Sequence, residues 1–190
     1  KKKIYVVGNT ISDTIMQNNF LHKNKKKGNY FFLTLHRPES VDNLQRLEIV
    51  IKTLITISDK LSIKIIFPIH PRTKKRIKRL NIKDFHKLKI IDPCSYFKSI
   101  LFQKKSKIVI TDSGGMQEEA CILKTPCVTI RNNTERPETL NIGSNILTGY
   151  KSEKIEKGIF KMLKVKRKWK SPYGRLVSNR ILDILKYNLI

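Results

Sequence analysis

Carboxylates are scarce in this 190-residue sequence. Fifteen Asp and Glu stand against 40 Lys and Arg, a formal charge of +25 at pH 7. Cysteine is scarce too. Cys94, Cys121 and Cys127 share no C-x-x-C spacing, and their odd number excludes a closed disulfide framework. They read as reduced, buried thiols of a cytoplasmic protein. No apolar run approaches the roughly 18 residues that a membrane helix needs, so no membrane partner is expected. Lys1-Lys2-Lys3 leads straight into Ile4-Tyr5-Val6-Val7, which lacks the charged start and long apolar stretch of a signal peptide. The missing initiator Met points to a fragment or a processed chain. With seven prolines, eight glycines and 39% hydrophobic residues, the composition is globular and long enough for one domain with a real core.

What the sequence has in abundance is lysine. A basic surface of this size attracts nucleic acid or anionic membrane in principle. Here the excess is spread from end to end, with little aromatic interleaving and no Arg-rich stripe. A solvated lysine coat accounts for that distribution, and nucleic acid is not an expected partner. Alanine occurs once, at Ala120, while Ile, Asn and Lys abound. This is the residue usage of an AT-rich genome.

Apolar runs and punctuation alternate along the chain. Strands are expected at residues 4–7, 30–35, 63–69, 88–91, 108–111, 127–130 and 146–147. Residues 63–69 form an apolar run broken only by Lys64, and are read as a strand buried on both faces. Helices are expected at residues 13–16, from 44 onward, and at 73–80, 95–103, 115–123, 153–164 and 178–189. Leu44, Leu47, Val50, Ile51, Leu54 and Ile55 follow the i, i+3, i+4, i+7 spacing of an amphipathic helix. A polar stretch fills residues 18–29. Such alternation implies a doubly wound α/β fold on a parallel sheet, with no internal repeat or second domain.

In such folds ligands sit at the carboxyl ends of the strands. Three strand exits carry candidate chemistry. In Thr34-Leu35-His36-Arg37-Pro38-Glu39, His36 is a candidate general acid or base, and Arg37 a ligand for phosphate or for Glu39. Pro38 disfavours helix at Arg37, which places these side chains on a loop. Pro68-Ile69-His70-Pro71-Arg72 repeats the His-Arg theme after a buried strand. In Thr111-Asp112-Ser113-Gly114-Gly115-Met116-Gln117-Glu118-Glu119 a strand runs through a hydroxyl and two glycines into a helix. Glycines admit close approach of a ligand to the backbone, and a helix N-terminus offers unpaired N–H groups to anions. Ser113 adds a donor, and Glu119 can accept from vicinal ribose hydroxyls. In the charged segment Arg131-Asn132-Asn133-Thr134-Glu135-Arg136-Pro137-Glu138, Arg136 can neutralise a diphosphate that Glu135 or Glu138 helps position.

Taken in order, His36-Arg37-x-Glu39, Pro68-x-His70-Pro71, Asp112-Ser113-Gly114-Gly115-x-Gln117-Glu118-Glu119 and Thr134-Glu135-Arg136-Pro137-Glu138 resemble the UDP-N-acetylglucosamine 2-epimerases of the bacterial, non-hydrolysing kind. Gly8-Asn9-Thr10 with Asp13 is similar to that family's lead into its C-terminal domain. Ser171-Pro172-Tyr173-Gly174 with Arg180-Ile181 is similar to its closing helix, residues 175–190 here. The resemblance implies the C-terminal half, residues 1–190, of a GT-B-type two-domain enzyme. That enzyme interconverts UDP-GlcNAc and UDP-ManNAc by elimination and re-addition of UDP, without a cofactor or metal. It further implies UDP contacts from Ser113, Gly114, Gly115, Glu119 and Arg136, and a catalytic role for His36. Arg37 and His70, supported by Glu39, would touch a second, regulatory UDP-GlcNAc.

Two departures qualify these implications. Pro38 stands where many members carry a second Arg, and the family's catalytic carboxylates belong to an N-terminal domain this sequence lacks. The chain alone is therefore expected to bind UDP without turnover, its complement being the missing domain or a separate chain, and the complete enzyme a homodimer. A GT-B glycosyltransferase domain, a basic nucleic-acid-binding domain and a decayed gene fragment are the rival readings.

Overall fold

Six strands, β1 (Tyr30–Thr34), β2 (Lys64–Pro68), β3 (Leu88–Ile91), β4 (Ile108–Thr111), β5 (Cys127–Thr129) and β6 (Asn145–Leu147), lie parallel in one sheet ordered β3-β2-β1-β4-β5-β6. This computed structural model describes residues 4–17, 27–82 and 84–189. Among the described residues the helices are α1 (Ile11–Met16), α2 (Pro38–Val41), α3 (Leu44–Leu61), α4 (Pro71–Ile77), α5 (Tyr96–Lys105), α6 (Gly114–Ile122), α7 (Pro137–Asn141), α8 (Ser152–Leu163) and α9 (Val177–Leu189). The architecture is the doubly wound, Rossmann-like α/β fold that the alternation implied.

Burial explains why these runs became strands. Phe31, Phe32 and Leu33 of β1 are all fully buried, as are all four residues of β4, because both strands are central and covered on both faces. Successive β1 side chains serve opposite layers. Phe31 and Leu33 join the core under α3 and α8, with Leu47, Leu54, Ile155 and Ile159. Phe32 points the other way and stacks on Phe102 of α5, ring centroids 5.8 Å apart. At the edge, β3 exposes Lys89 and Ile90, and the lysine discourages further strand addition.

The longest helix, α3, starts where Asn43 accepts the Arg46 N–H at 2.9 Å. It ends at Ser62, a non-glycine residue in the left-handed region (φ 51°). Its buried Leu47, Val50, Ile51, Leu54 and Ile57 form one stripe facing the sheet.

Three points differ from the sequence reading. The β2 strand is not buried on both faces: Ile65 and Phe67 are buried, but Lys64 is exposed and Ile66 and Pro68 are only partly covered. Residues 4–7 are not a strand: Ile4 and Val6 are 90% and 97% exposed, and the β-branched run meets no strand partner among the described residues. The short helices α2 and α7 escaped the sequence reading. Each starts at a proline, Pro38 and Pro137, whose fixed φ suits a first helical position, but neither is long enough to show periodicity. Most of the polar stretch 18–29 lies outside the described residues.

Candidate active site

The order β3-β2-β1-β4-β5-β6 reverses between β1 and β4, and the crevice outside their carboxyl ends is the ligand position of such sheets. Three of the candidate segments meet there or beside it. Asp112, the first residue beyond β4, is fully buried. Its Oδ2 accepts the backbone N–H of His36 at 2.9 Å and of Arg37 at 2.8 Å, so one carboxylate pins the β1 exit to the β4 exit. Thr34 and Thr111 hydroxyls, 2.8 Å apart, add a second tie. Asp112 Oδ1 has no hydrogen bond of ordinary geometry; the His36 Nδ1 stands 3.4 Å from it. The neighbouring exit of β2 brings His70 to a centroid distance of 5.8 Å from His36. His70 Nδ1 accepts the Arg72 N–H at 3.1 Å and so caps α4.

The third exit opens α6. Ser113 is its N-cap residue, yet its hydroxyl makes no bond to the helix end and stays available. The two glycines behave differently. A Cβ on Gly114 would stand 3.4 Å from Glu135 Oε2, whereas a Cβ on Gly115 would meet nothing within 4 Å. Protein packing therefore does not require a glycine at 115. The open space lies where the N–H groups of the first turn are unpaired, an arrangement that receives anions. Gln117, fully buried, holds the adjoining loop in place: its Oε1 accepts from Thr134 Oγ1 at 2.6 Å and Asn145 Nδ2 at 3.0 Å.

Ion pairs organise the far side. Arg131 is 5% exposed and engages Glu135 through both terminal nitrogens, at 2.8 and 3.0 Å, while its Nε lies 3.0 Å from Glu39 Oε1. Glu39 thus turns to Arg131, not to Arg37. The Arg131 hydrogen bonds hold the Glu135 carboxyl well down, at about 2. Arg136 donates to Glu118 Oε1 at 2.5 Å, and Asn9 Nδ2 reaches the same oxygen at 3.0 Å. Gly8 lets the chain reach that point. Its φ is +106°, and a Cβ there would stand 2.5 Å from the Tyr173 carbonyl oxygen. Asn9, Glu118, Glu135, Arg136, Glu138 and Tyr173 line a cavity of about 570 Å³ on this side. A roomier hollow, about 690 Å³, lies against Arg46 and Tyr150. None of the candidate side chains lines it, so the strand exits define the site.

Glu119 faces α5. It is 8% exposed and accepts from Gln103 Nε2 at 2.6 Å. Burial pushes its carboxyl up to about 7, with the Gln103 hydrogen bond opposing and the charge of Glu118 adding. Its negative charge also raises Tyr96, behind the larger effect of that residue's own burial. Tyr96 and Phe97 at the start of α5 form an exposed edge-to-face pair, centroids 5.6 Å apart. Among the described residues, no group of three His, Cys, Asp or Glu is placed to hold a metal ion. No helix among them is long and apolar enough to cross a membrane.

The family described as UDP-N-acetylglucosamine 2-epimerase matches residues 1–186. The chain belongs to that family. The UDP-N-acetylglucosamine 2-epimerase of Methanocaldococcus jannaschii is 46% identical over 203 residues, 98% of this chain but 56% of its own length. A crystal structure of that organism's enzyme in complex with UDP-GlcNAc and UDP superposes with a TM-score of 0.88 at 47% identity, over 97% of this chain and 55% of the other. The Neisseria meningitidis enzyme bound to UDP-GlcNAc gives 0.77 at 25% identity, over 98% of this chain and 55% of the other. The chain spans about half the length of the curated relatives it matches.

Within the family frame, the structure groups His36, Arg37, His70, Ser113, Gly114 and Gly115 around the β1 and β4 exits. Arg136 stands beyond them, paired to Glu118, and Glu119 points back at Gln103. Sequence reasoning gave no role to Asp112, Arg131 or Glu118. A lone aspartate after an apolar strand is a signal for the first, since it must find donors when buried. Arg131 follows the strand run ending at Ile130 and needs carboxylates for the same reason.

Proposed function

We propose that the chain is the UDP-sugar-binding, C-terminal half of a UDP-N-acetylglucosamine 2-epimerase, interconverting UDP-GlcNAc and UDP-ManNAc by elimination and re-addition of UDP. The observation that carries the proposal is the β4–α6 turn. A free Ser113 hydroxyl, the unpaired amides of the first turn and the empty space over Gly115 together suit a diphosphate, directly beside His36. Arg136 follows in the loop that Thr134 ties to Gln117 of the same helix, and would neutralise the diphosphate once its pairing with Glu118 is shared. Glu119 would turn from Gln103 to the ribose, and the exposed Tyr96-Phe97 pair next to it offers a face for the base.

The chemistry follows from the substrate. A base takes the C2 proton, its electron pair forms the C1–C2 double bond, and the C1–O bond breaks to release UDP. Returning UDP to C1 and a proton to the other face of C2 inverts that centre. The helix terminus and Arg136 stabilise the charge that develops on the leaving diphosphate. His36 is the acid–base group this half supplies. The remaining acid–base groups come from a complementary half, in the same chain or another, and the complete enzyme is a homodimer. Arg37 and His70 lie beside His36 and would serve a second, regulatory UDP-GlcNAc, with Glu39 held in support by Arg131. The free cysteines suit the cytoplasm, and the product suits polysaccharide assembly.

The test is to titrate UDP into the 15N-labelled chain, and then to offer UDP-GlcNAc in deuterium oxide without any acceptor sugar. UDP should shift the Gly114 and Gly115 amides, and the chain alone should form no UDP-ManNAc. Adding the missing half should yield UDP-ManNAc carrying deuterium at C2. Unmoved glycine amides would overturn the binding site; product from the chain alone would overturn the half-site.

A further inference from the structure

Two imidazoles stand side by side at the strand exits, and each has one ring nitrogen committed by its surroundings. His70 Nδ1 accepts the Arg72 backbone N–H at 3.1 Å. A nitrogen that accepts carries a lone pair, so the neutral ring holds its proton on Nε2. His36 Nδ1 faces the opposite demand. It lies 3.4 Å from Asp112 Oδ1, an oxygen of a fully buried carboxylate with no other donor. Asp112 Oδ2 already takes two backbone N–H groups, which fixes the carboxylate plane. A lone pair on His36 Nδ1 would oppose the lone pairs of Oδ1. A proton there supplies the only donor that the oxygen has near it among the described residues.

We infer that Asp112 and the Arg72 amide hold the two neutral imidazoles in opposite tautomers, His36 as Nδ1–H and His70 as Nε2–H, so that one cleft wall presents a proton acceptor beside a hydrogen-bond donor. Asp112 is thus a positioning residue. It turns His36 so that Nε2, the nitrogen without a protein partner among the described residues, carries the lone pair. His70 offers N–H at the corresponding atom. Besides each other and Asp112, the charged groups on the adjoining exits are Arg37, Glu39, Arg72 and, beyond β5, Arg131; Glu39 turns to Arg131, and Arg72 is drawn away by Asp42, 3.2 Å from its side chain. A sugar hydroxyl, which both donates and accepts, is the ligand class that such a pair distinguishes from a purely accepting phosphate. The tautomers rest on geometry alone; the use of His36 Nε2 as a proton acceptor rests on the epimerase reading.

The experiment is a multiple-bond 15N–1H spectrum of the 15N-histidine-labelled chain. It is recorded at alkaline pH, on the plateau where the ring-nitrogen shifts no longer change with pH. His36 should show a pyrrole-type Nδ1 and a pyridine-type Nε2, and His70 the reverse. In Asp112→Asn the side-chain oxygen can keep both backbone N–H bonds while the amide NH2 replaces Oδ1. The major tautomer of His36 should then invert and that of His70 stay. Matching tautomers in the unaltered chain would overturn the inference, as would a His36 pattern indifferent to Asp112→Asn. If that variant does not fold, the unaltered chain decides alone. Failure of the epimerase reading would show separately, as glycine amides that UDP does not move.

Discussion

Replacing Gly115 by alanine separates what the fold needs from what a ligand needs. In the folded chain the added Cβ meets nothing within 4 Å, so no clash opposes it. The position is the second residue of α6, where alanine is a better helix former than glycine by roughly 0.5–1 kcal/mol. Stability should therefore hold or rise slightly. Binding should move the other way. A methyl group over the first turn keeps a phosphate oxygen from closing on the amides beneath it. Each charge-assisted hydrogen bond lost is worth about 1.5–3 kcal/mol. At about 1.4 kcal/mol per factor of ten, the loss of one bond weakens UDP roughly tenfold to a hundredfold. Calorimetric titration with UDP, paired with thermal melts of both proteins, reads the two effects independently. UDP affinity unchanged by Gly115→Ala would refute the placement of the diphosphate against this turn. A melt lowered by several degrees would show that the space over Gly115 is used by the protein itself.

Three further outcomes follow from the same geometry. Glu119, raised from 4.5 to about 7, keeps its proton in the folded chain where the unfolded chain has released it. Its contribution is full below 4.5 and is lost as pH climbs to about 7, roughly 3 kcal/mol at most. Glu119→Gln should flatten the dependence of the urea midpoint on pH across that window; an unaltered slope would show that another group carries it. Arg131→Met removes the cation shared by Glu39 and Glu135. Both carboxylates are about half exposed and rehydrate, so the cost should sit near 1–3 kcal/mol, below the 3–5 of a fully buried broken pair. It should be smaller at low pH, as Glu135 protonates. Asn43→Ala, which strips the α3 cap, should cost about 1 kcal/mol in denaturant melts.

The sheet was legible because its central strands are apolar on both faces. Phe31, Phe32 and Leu33 leave no room for another reading, and β4 repeats the signal before Asp112. Residues 4–7 carry the same β-branched signal without the partner that makes a strand, since pairing is a property of the assembled sheet and not of the run. The site was legible in part for a related reason. Residues that meet a ligand, such as Ser113 and Gly115, stand out because the fold alone does not explain them. Residues that meet each other do not: Arg131 pairs with Glu135 four residues on, but its tie to Glu39 joins two segments about ninety residues apart, and no local pattern announces it. Glu119 shows the limit from the other side. Its place one turn into α6 was plain, but its hydrogen bond to Gln103 depends on how α5 packs against α6.

The tie from Asp112 to His36 also bears on how the molecule folds. It joins residues 76 apart in sequence, and the β1–β4 pairing beneath it joins residues 77 apart. The β1–β3 segment and the β4–β6 segment can each gather local contacts early, but the cleft between them exists only after that long loop has closed. A ligand held there has nothing to bind in a half-wound sheet. It therefore stabilises the fully folded state alone, by the free energy that its concentration sets against its dissociation constant. Ligand-dependent slowing of hydrogen exchange should accordingly reach both halves of the sheet together, far beyond the turn it touches.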